Sequence, residues 1–294
     1  MTFQKDETPS LKLGIGLDNR PKINDIASFL SRKNIRDVIR QRSIPLGGGP
    51  HFWFEIGGVR YLYTYIRKNG CSSFKHMIAQ TSEHKSRLEA GKEIDFLREY
   101  HLLKNFNDTK TVSCSIFVYR NPVERVISLF KNKFIIREWN SDIWESVHKS
   151  IGNNPEKLSF NDFVFSYIQG YAAFNKWRGK YIDPHVKPQV RHLAPIFYNT
   201  AVDLADLTEA SYRLFPAEVA EKFFREKINS TSAQEFVEDG AELMPSEILR
   251  RRWKESRSVP SRESLMNAEI LKAIEQVYSE DYAMIAAANR TDCM

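Results

Sequence analysis

The chain has 294 residues, with 43 Lys and Arg against 37 Asp and Glu, a net charge of +6. Hydrophobic residues make up 42% and charged residues 27%, which excludes a disordered, collagen-like or low-complexity chain and leaves enough apolar material for a full core. Its 3 cysteines (Cys71, Cys114 and Cys293) cannot form a disulfide framework and lack C-x-x-C spacing, so a reducing compartment, the cytoplasm, is expected.

The first residues, MTFQKDETPSLKLGIG, lack the charged-then-apolar layout of a secretory leader. No run approaches the ~20 apolar residues of a membrane span, which leaves only peripheral contact with a membrane surface open. Residues 1–50 read as a partly irregular arm with a short helix near 23–40. Residues 51–294 read as one α/β domain. Gly47-Gly48-Gly49-Pro50 breaks the chain. His51–Ile56 and Val59–Ile66 follow as strands, with Gly57-Gly58 as a two-residue hairpin turn. From Ser72 the pattern is helical, with Phe74, Met77 and Ile78 on one face. Residues 83–105 are charged and helix-prone. Thr111–Tyr119 is a near-continuous apolar run, as expected of a buried parallel strand. VERVISLFKNKFI is then a helix, with Pro122 near its first turn.

Residues 141–180 are helical in pieces, and Asp183–Pro195 is a loop rich in Pro and His. A short strand within 196–210, a helix over 217–228, a basic loop Leu249–Arg262 and a final helix near 263–286 complete the chain. The alternation of strand, loop and helix predicts a parallel sheet joined by crossover helices. Ligands of such sheets sit at the carboxyl ends of the strands, where two informative loops fall.

The first loop is Arg67-Lys68-Asn69-Gly70-Cys71-Ser72-Ser73-Phe74-Lys75. Gly70 permits a tight turn, and the small residues Cys71, Ser72 and Ser73 let an anion approach main-chain N–H groups. The following helix aims its positive end at the loop, and Lys68 adds a full charge. The lysine precedes the glycine, so this is not a Walker A motif. An ordinary strand-to-helix turn accounts for it about as well when it is taken alone. The second loop runs from Tyr119 through Arg120-Asn121-Pro122 to Ser128. Arg120 ends a buried strand, where an unpaired guanidinium is costly, so it calls for an anion. The plainest structural reading is an Arg120–Glu124 pair with Arg125 on the surface.

Together the two loops resemble the donor-binding segments of sulfotransferases that use 3′-phosphoadenosine 5′-phosphosulfate (PAPS), in particular the carbohydrate-directed, family 2 branch. Lys68, Gly70, Cys71, Ser72 and Lys75 fall on that branch's P-K-x-G-C-T-x-x-K segment. Arg120, Pro122, Glu124, Arg125, Ser128, Phe130, Lys131 and Phe134 fit its R-D-P-x-x-R-x-x-S-x-[FY] segment and the basic stretch after it. Arg67 stands for the usual proline and Asn121 for the usual aspartate. Asp183-Pro184-His185-Val186-Lys187-Pro188-Gln189 is similar to a D-x-H-x-x-P-Q segment, and Tyr278-Ser279-Glu280-Asp281-Tyr282 to a Y-x-x-D-Y helix.

The resemblance implies a P-loop NTPase-like three-layer fold, with a central parallel sheet between helices, and in-line sulfuryl transfer from PAPS, leaving adenosine 3′,5′-bisphosphate. It implies that Lys68, Asn69, Gly70, Cys71, Ser72 and Ser73 hold the 5′-phosphosulfate and that Arg120 and Ser128 hold the 3′-phosphate. Lys68 would stabilise the charge that builds on the bridging oxygen. Arg252, in the late basic run of Arg250, Arg251, Arg252, Lys254 and Arg257, would lie over the nucleotide, although a solvated flexible loop explains the run nearly as well. No metal is required. For the general base, His185 leads as a loop histidine among prolines, with His101, Glu99 and Glu93 in reserve.

The acceptor is expected to be a hydroxyl-bearing carbohydrate; Trp139, Trp144, Trp177 and Phe174 are candidate sugar platforms, although aromatics at helical spacing more often belong to a core. A small phenol or alcohol is the other acceptor class. A P-loop kinase is disfavoured by the missing Walker lysine and the lack of a Mg²⁺-binding Asp at a strand end. A non-enzymatic polyanion-binding module would show steep salt dependence without transfer; no nucleic acid partner is expected.

Overall fold

Two left-handed glycines set the first turn. Gly57 and Gly58 have φ of 59° and 75°, the backbone of a type I′ hairpin whose twist matches that of its strands. They join β1 (His51–Ile56) to β2 (Val59–Thr64) in antiparallel register, Ile56 opposite Val59 and His51 opposite Thr64. The computed structural model describes residues 46–137, 142–225 and 233–290. The helix expected over 23–40 lies outside them.

In chain order there follow α1 (Cys71–Thr81), α2 (Glu93–Tyr100), β3 (Cys114–Tyr119), and α3 (Pro122–Phe130) with a wider-turned continuation, Lys131–Ile136. Next come α4 (Asp142–Ile151), and α5, where the turn Phe160–Asp162 runs into a π-type helix, Phe163–Ala173. Then come β4 (Thr200–Asp203), α6 (Leu207–Leu214), α7 (Ala217–Phe224), β5 (Gln234–Phe236), α8 (Ser246–Ser256) and β6 (Ser258–Pro260). The last described elements are α9 (Arg262–Leu265), α10 (Ala268–Val277) and α11 (Ser279–Arg290).

The main sheet has the order β1-β2-β3-β4, with β2, β3 and β4 parallel. Side chains alternate across it, as the two-residue period of a strand requires. Tyr61, Tyr63, Ile116 and Val118 face a core shared with Phe74, Met77 and Ile78 of α1 and with Phe223 and Phe224 of α7. Leu62, Phe117 and Tyr119 face the opposite side, against Tyr198, Met284 and Ala288. A third core joins α3, α4, α5, α8 and α10. The result is the expected three-layer α/β architecture. Among the described residues no helix is long and apolar enough to cross a membrane.

Several boundaries move. The strand expected from Thr111 starts at Cys114, because Asn105 and Asp108 cap each other and wind residues 106–111 into a 3₁₀ turn instead. The basic stretch 249–262 is not a loop. Leu249 and Trp253 are buried four residues apart, which anchors one face of α8, while the arginines between them are good helix formers. β6 then pairs with β5 as a separate two-stranded sheet. The expected final helix is broken, because the Asn267 side chain accepts from Ile270 N and starts α10 afresh. α6 has no counterpart in the sequence reading.

Candidate functional site

β2 and β3 are parallel neighbours, so the loops that follow them emerge side by side. After β2 the chain turns left-handed twice, at Lys68 (φ 71°) and at Gly70 (φ 67°). Lys68 carries a side chain in a conformation that L residues disfavour, the kind of strain that collects at binding sites. Gly70 has a second reason to be glycine: a Cβ there would lie 2.7 Å from Leu207 Cδ2 and 2.9 Å from Leu204 Cδ1. Without a side chain Gly70 cannot cap α1, and no acidic residue stands in the first turn. The N-terminus of α1, with Cys71 and Ser72 half-buried at it, thus has no N-cap side chain and no carboxylate in its first turn set against its positive end. Ser73 is buried and its N–H bonds to Gly70 O.

The second loop is built differently. Pro122 removes one N–H at the start of α3, and Asn121 Oδ1 accepts from Val123 N at 2.9 Å and Glu124 N at 3.4 Å. That helix end is therefore capped by its own chain, and an anion there depends on side chains. Glu124 and Ser128, four residues apart on α3, share one face, and Arg120 precedes the helix, between β3 and the cap Asn121. Arg120 lies only loosely against Glu124, at 3.9 Å, because Glu124 is held at 3.0 Å by Arg262. Burial lowers the Arg120 pKa, against the attraction of Glu124.

Arg125 is not on the surface. It is 2% exposed. Its Nε donates to Arg67 O at 3.3 Å and its Nη1 to Lys187 O at 2.8 Å, while Nη2 has no partner. It clamps the loop of Lys68 to the Asp183–Gln189 segment. Asn69 is also fully buried, donating through Nδ2 to Val118 O at 2.8 Å and to Gln189 Oε1 at 2.6 Å. Its side chain ties the loop down, so any contact with a ligand falls to its backbone.

His185 stands beside this cluster. Asp183 Oδ1 lies 2.6 Å from His185 Nδ1 and also accepts the His185 backbone N–H at 2.7 Å. An ionised carboxylate only accepts, so Nδ1 carries the proton and Nε2 is the basic nitrogen. Arg67 Nη1 is 3.1 Å from the same Nδ1. Burial, resisted by Asp183 and reinforced by Arg67, brings the His185 pKa down to about 4. Asp183 is itself buried, which opposes ionisation, but the hydrogen bond and charge of His185 hold it below its ordinary range.

The structure does not bring every expected residue here. His101 is buried at the outer edge of β1, Nδ1 donating to Trp53 O at 2.9 Å and Nε2 paired with Ser82 Oγ at 2.9 Å. Both ring nitrogens are committed to packing the edge of the sheet. Glu99 is solvent-exposed on α2. Arg252, on α8 and partly exposed, is paired with Glu238 and stacked over Phe236 of the small sheet at 4.5 Å. The arginine of this region that is ion-paired into α3 is Arg262, and nothing in its sequence context singles it out.

Arg250, Arg251 and Lys254 line a separate cavity of about 250 Å³ with Arg137 and Trp144. Trp144 packs against Phe134 and the Arg137 guanidinium at the wall of that cavity, and Trp177 is buried near Tyr278 and presents no free ring to a sugar. Phe174 is 82% exposed; Trp139 lies outside the described residues. No cluster of His, Cys, Asp and Glu fit for a metal occurs among the described residues.

The sequence does not reveal the roles of Asp183 as the partner of His185, Arg67 as its neighbour and Gln189 as a bridge between the loops, although the D-P-H and P-Q segments are visible in it. A model of the sulfotransferase family matches residues 58–284. No curated protein and no solved structure matches the chain.

Proposed function

This chain belongs to the sulfotransferase family and is a PAPS-dependent sulfotransferase; on that premise we propose that it transfers the sulfuryl group to a hydroxyl of a carbohydrate-type acceptor, a polysaccharide, oligosaccharide or glycolipid. The N-terminus of α1 with Lys68 receives the 5′-phosphosulfate, and Arg120 with Ser128 the 3′-phosphate. The observation that carries the reading is the convergence of three segments: Arg125 bonds to the carbonyls of both Arg67 and Lys187, drawing the Asp183–His185 pair onto the lysine loop.

In this reading His185 Nε2 takes the proton of the acceptor hydroxyl as its oxygen bonds to sulfur. The bond from sulfur to the bridging oxygen breaks, and its electron pair stays on the 5′-phosphate of the departing bisphosphate. Lys68 meets the charge that grows there, more strongly in the transition state than in the ground state. Asp183 holds the His185 tautomer and stabilises the imidazolium that forms. The C-x-x-x-K form of the first loop and the H-x-x-P-Q segment support a sugar acceptor. The unpaired thiols Cys71 and Cys114 support the cytoplasm as the compartment.

The test is transfer from sulfur-labelled PAPS to a panel of sugars, phenols and alcohols, repeated with Lys68→Ala and His185→Ala. Sugar labelling lost in both variants supports the reading. Full activity of Lys68→Ala removes the lysine role, and labelling confined to phenols removes the carbohydrate acceptor.

A further inference from the structure

Gln189 is fully buried and uses every hydrogen-bonding valence of its amide. Oε1 accepts from Asn69 Nδ2 at 2.6 Å and from Arg120 N at 2.9 Å. Nε2 donates to Arg120 O at 2.8 Å and to Asp281 Oδ2 at 3.3 Å. Asp281, at the start of α11, also accepts Gln189 N at 2.9 Å and Val190 N at 3.0 Å.

This bracket spans a gap. β2 and β3 pair only as far as Thr64 and Phe117, and past that point the two backbones part. Arg120 would then have both main-chain polar groups without a neighbour on that side. The Gln189 amide takes that place, matching the N–H and the C=O of Arg120 as an adjoining peptide would, and reaches across to Asn69 in the other loop. The spacing of the two donor loops is thus set by side chains rather than by strand pairing, with Gln189 bridging Arg120 and Asn69 beside the direct bonds of Arg125 to Arg67 O and of Asn69 to Val118 O.

We infer that Gln189 is a positioning residue that couples the 5′- and 3′-phosphate subsites of the donor site. This rests on the assignment of those subsites to the loops at Lys68–Ser73 and Arg120–Ser128. Two anions carried by one nucleotide bind more tightly together than apart only if their sites are held at matching separation. A slack bracket leaves each loop able to bind its own phosphate but removes the advantage of binding both.

Calorimetry with adenosine, adenosine 5′-phosphate, adenosine 3′-phosphate and adenosine 3′,5′-bisphosphate measures that advantage as a ratio of affinities. In Gln189→Met the ratio should fall by about tenfold or more, with the two monophosphate affinities changed far less. Asn69→Ser cuts the bracket from the other loop and should lower the ratio likewise, which covers the case that Gln189→Met fails to fold. Equal weakening of all three phosphates, or an unchanged ratio, overturns the coupling. Arg120→Ala separates the two questions. If it weakens only the 3′-bearing ligands while the bracket variants leave the ratio intact, the coupling alone falls. If it leaves bisphosphate affinity unchanged, the subsite assignment falls with it.

Discussion

Asp183 Oδ1 sits 2.6 Å from His185 Nδ1, with both groups drawn out of solvent and Arg67 alongside. Burial and Arg67 keep the ring neutral against the pull of Asp183, and the contact with Asp183 defines its tautomer. With the His185 pKa brought down to about 4, the basic form persists from neutral pH down to that value. Transfer should therefore lose its base only as the pH falls through about 4, well below an ordinary histidine. His185→Ala should lower kcat by ~10²–10⁴-fold. Asp183→Asn, which frees the tautomer, should lower it less and move the acidic limb. A limb near pH 6.5 in wild type would contradict this environment.

The Arg125 guanidinium serves two buried carbonyls, those of Arg67 and Lys187. Arg125→Met strands both acceptors, at a cost on the order of 3 kcal/mol in unfolding free energy. Arg125→Lys retains charge but not the two-pronged reach, so it should recover only part of that loss. Urea unfolding distinguishes the three proteins. Wild-type stability in Arg125→Met would mean that the clamp is energetically idle.

Gly70 and Gly58 both have positive φ, at 67° and 75°, but a Cβ at Gly58 meets nothing within 4 Å whereas one at Gly70 meets Leu207 and Leu204. Alanine at Gly58 should therefore cost only the backbone penalty of about 1–2 kcal/mol. Alanine at Gly70 should cost more and should also weaken adenosine 3′,5′-bisphosphate. Leu207→Ala in the Gly70→Ala background should restore part of the nucleotide affinity. Equal losses at the two glycines would show that the leucines do not confine the loop.

His192 is buried with Nε2 unpartnered. Burial, together with the cations Arg125, Lys187 and Arg67, lowers its pKa to about 3. The folded protein thus keeps this ring and that of His185 neutral, while the unfolded chain protonates both near pH 6.5. Unfolding takes up protons between about pH 6.5 and 4, so stability should fall as the pH drops through that window and be fully present above it. Melting curves of wild type and His192→Gln across this range should differ in slope by up to about 1.4 kcal/mol per pH unit. Parallel curves would contradict a neutral buried His192.

Local pattern carried much of this protein's design. The aromatic alternation of 51–64, the Gly57-Gly58 turn and the apolar run ending at Tyr119 follow from side-chain periodicity and turn chemistry, and they place the two loops proposed to bind the donor at adjacent strand ends. Those loops are legible as a pair, through the resemblance they carry together; taken alone, the first reads about as well as an ordinary strand-to-helix turn and the second as an Arg120–Glu124 pair. The register of α8 was hidden because a run of arginines looks solvated unless Leu249 and Trp253 are seen to be buried four residues apart.

What the linear chain could not express is the sharing of partners between distant segments. Whether Arg125 is a surface cation or a buried clamp depends on the carbonyl of Lys187, and the role of Gln189 depends on Asn69, Arg120 and Asp281 meeting around one amide. Hydrogen bonds and desolvation act at about 3 Å whatever the separation along the chain. Composition and periodicity therefore determined the sheet and where its two strand-end loops fall, while folding alone decided how those loops are spaced and which histidine lies beside Arg67.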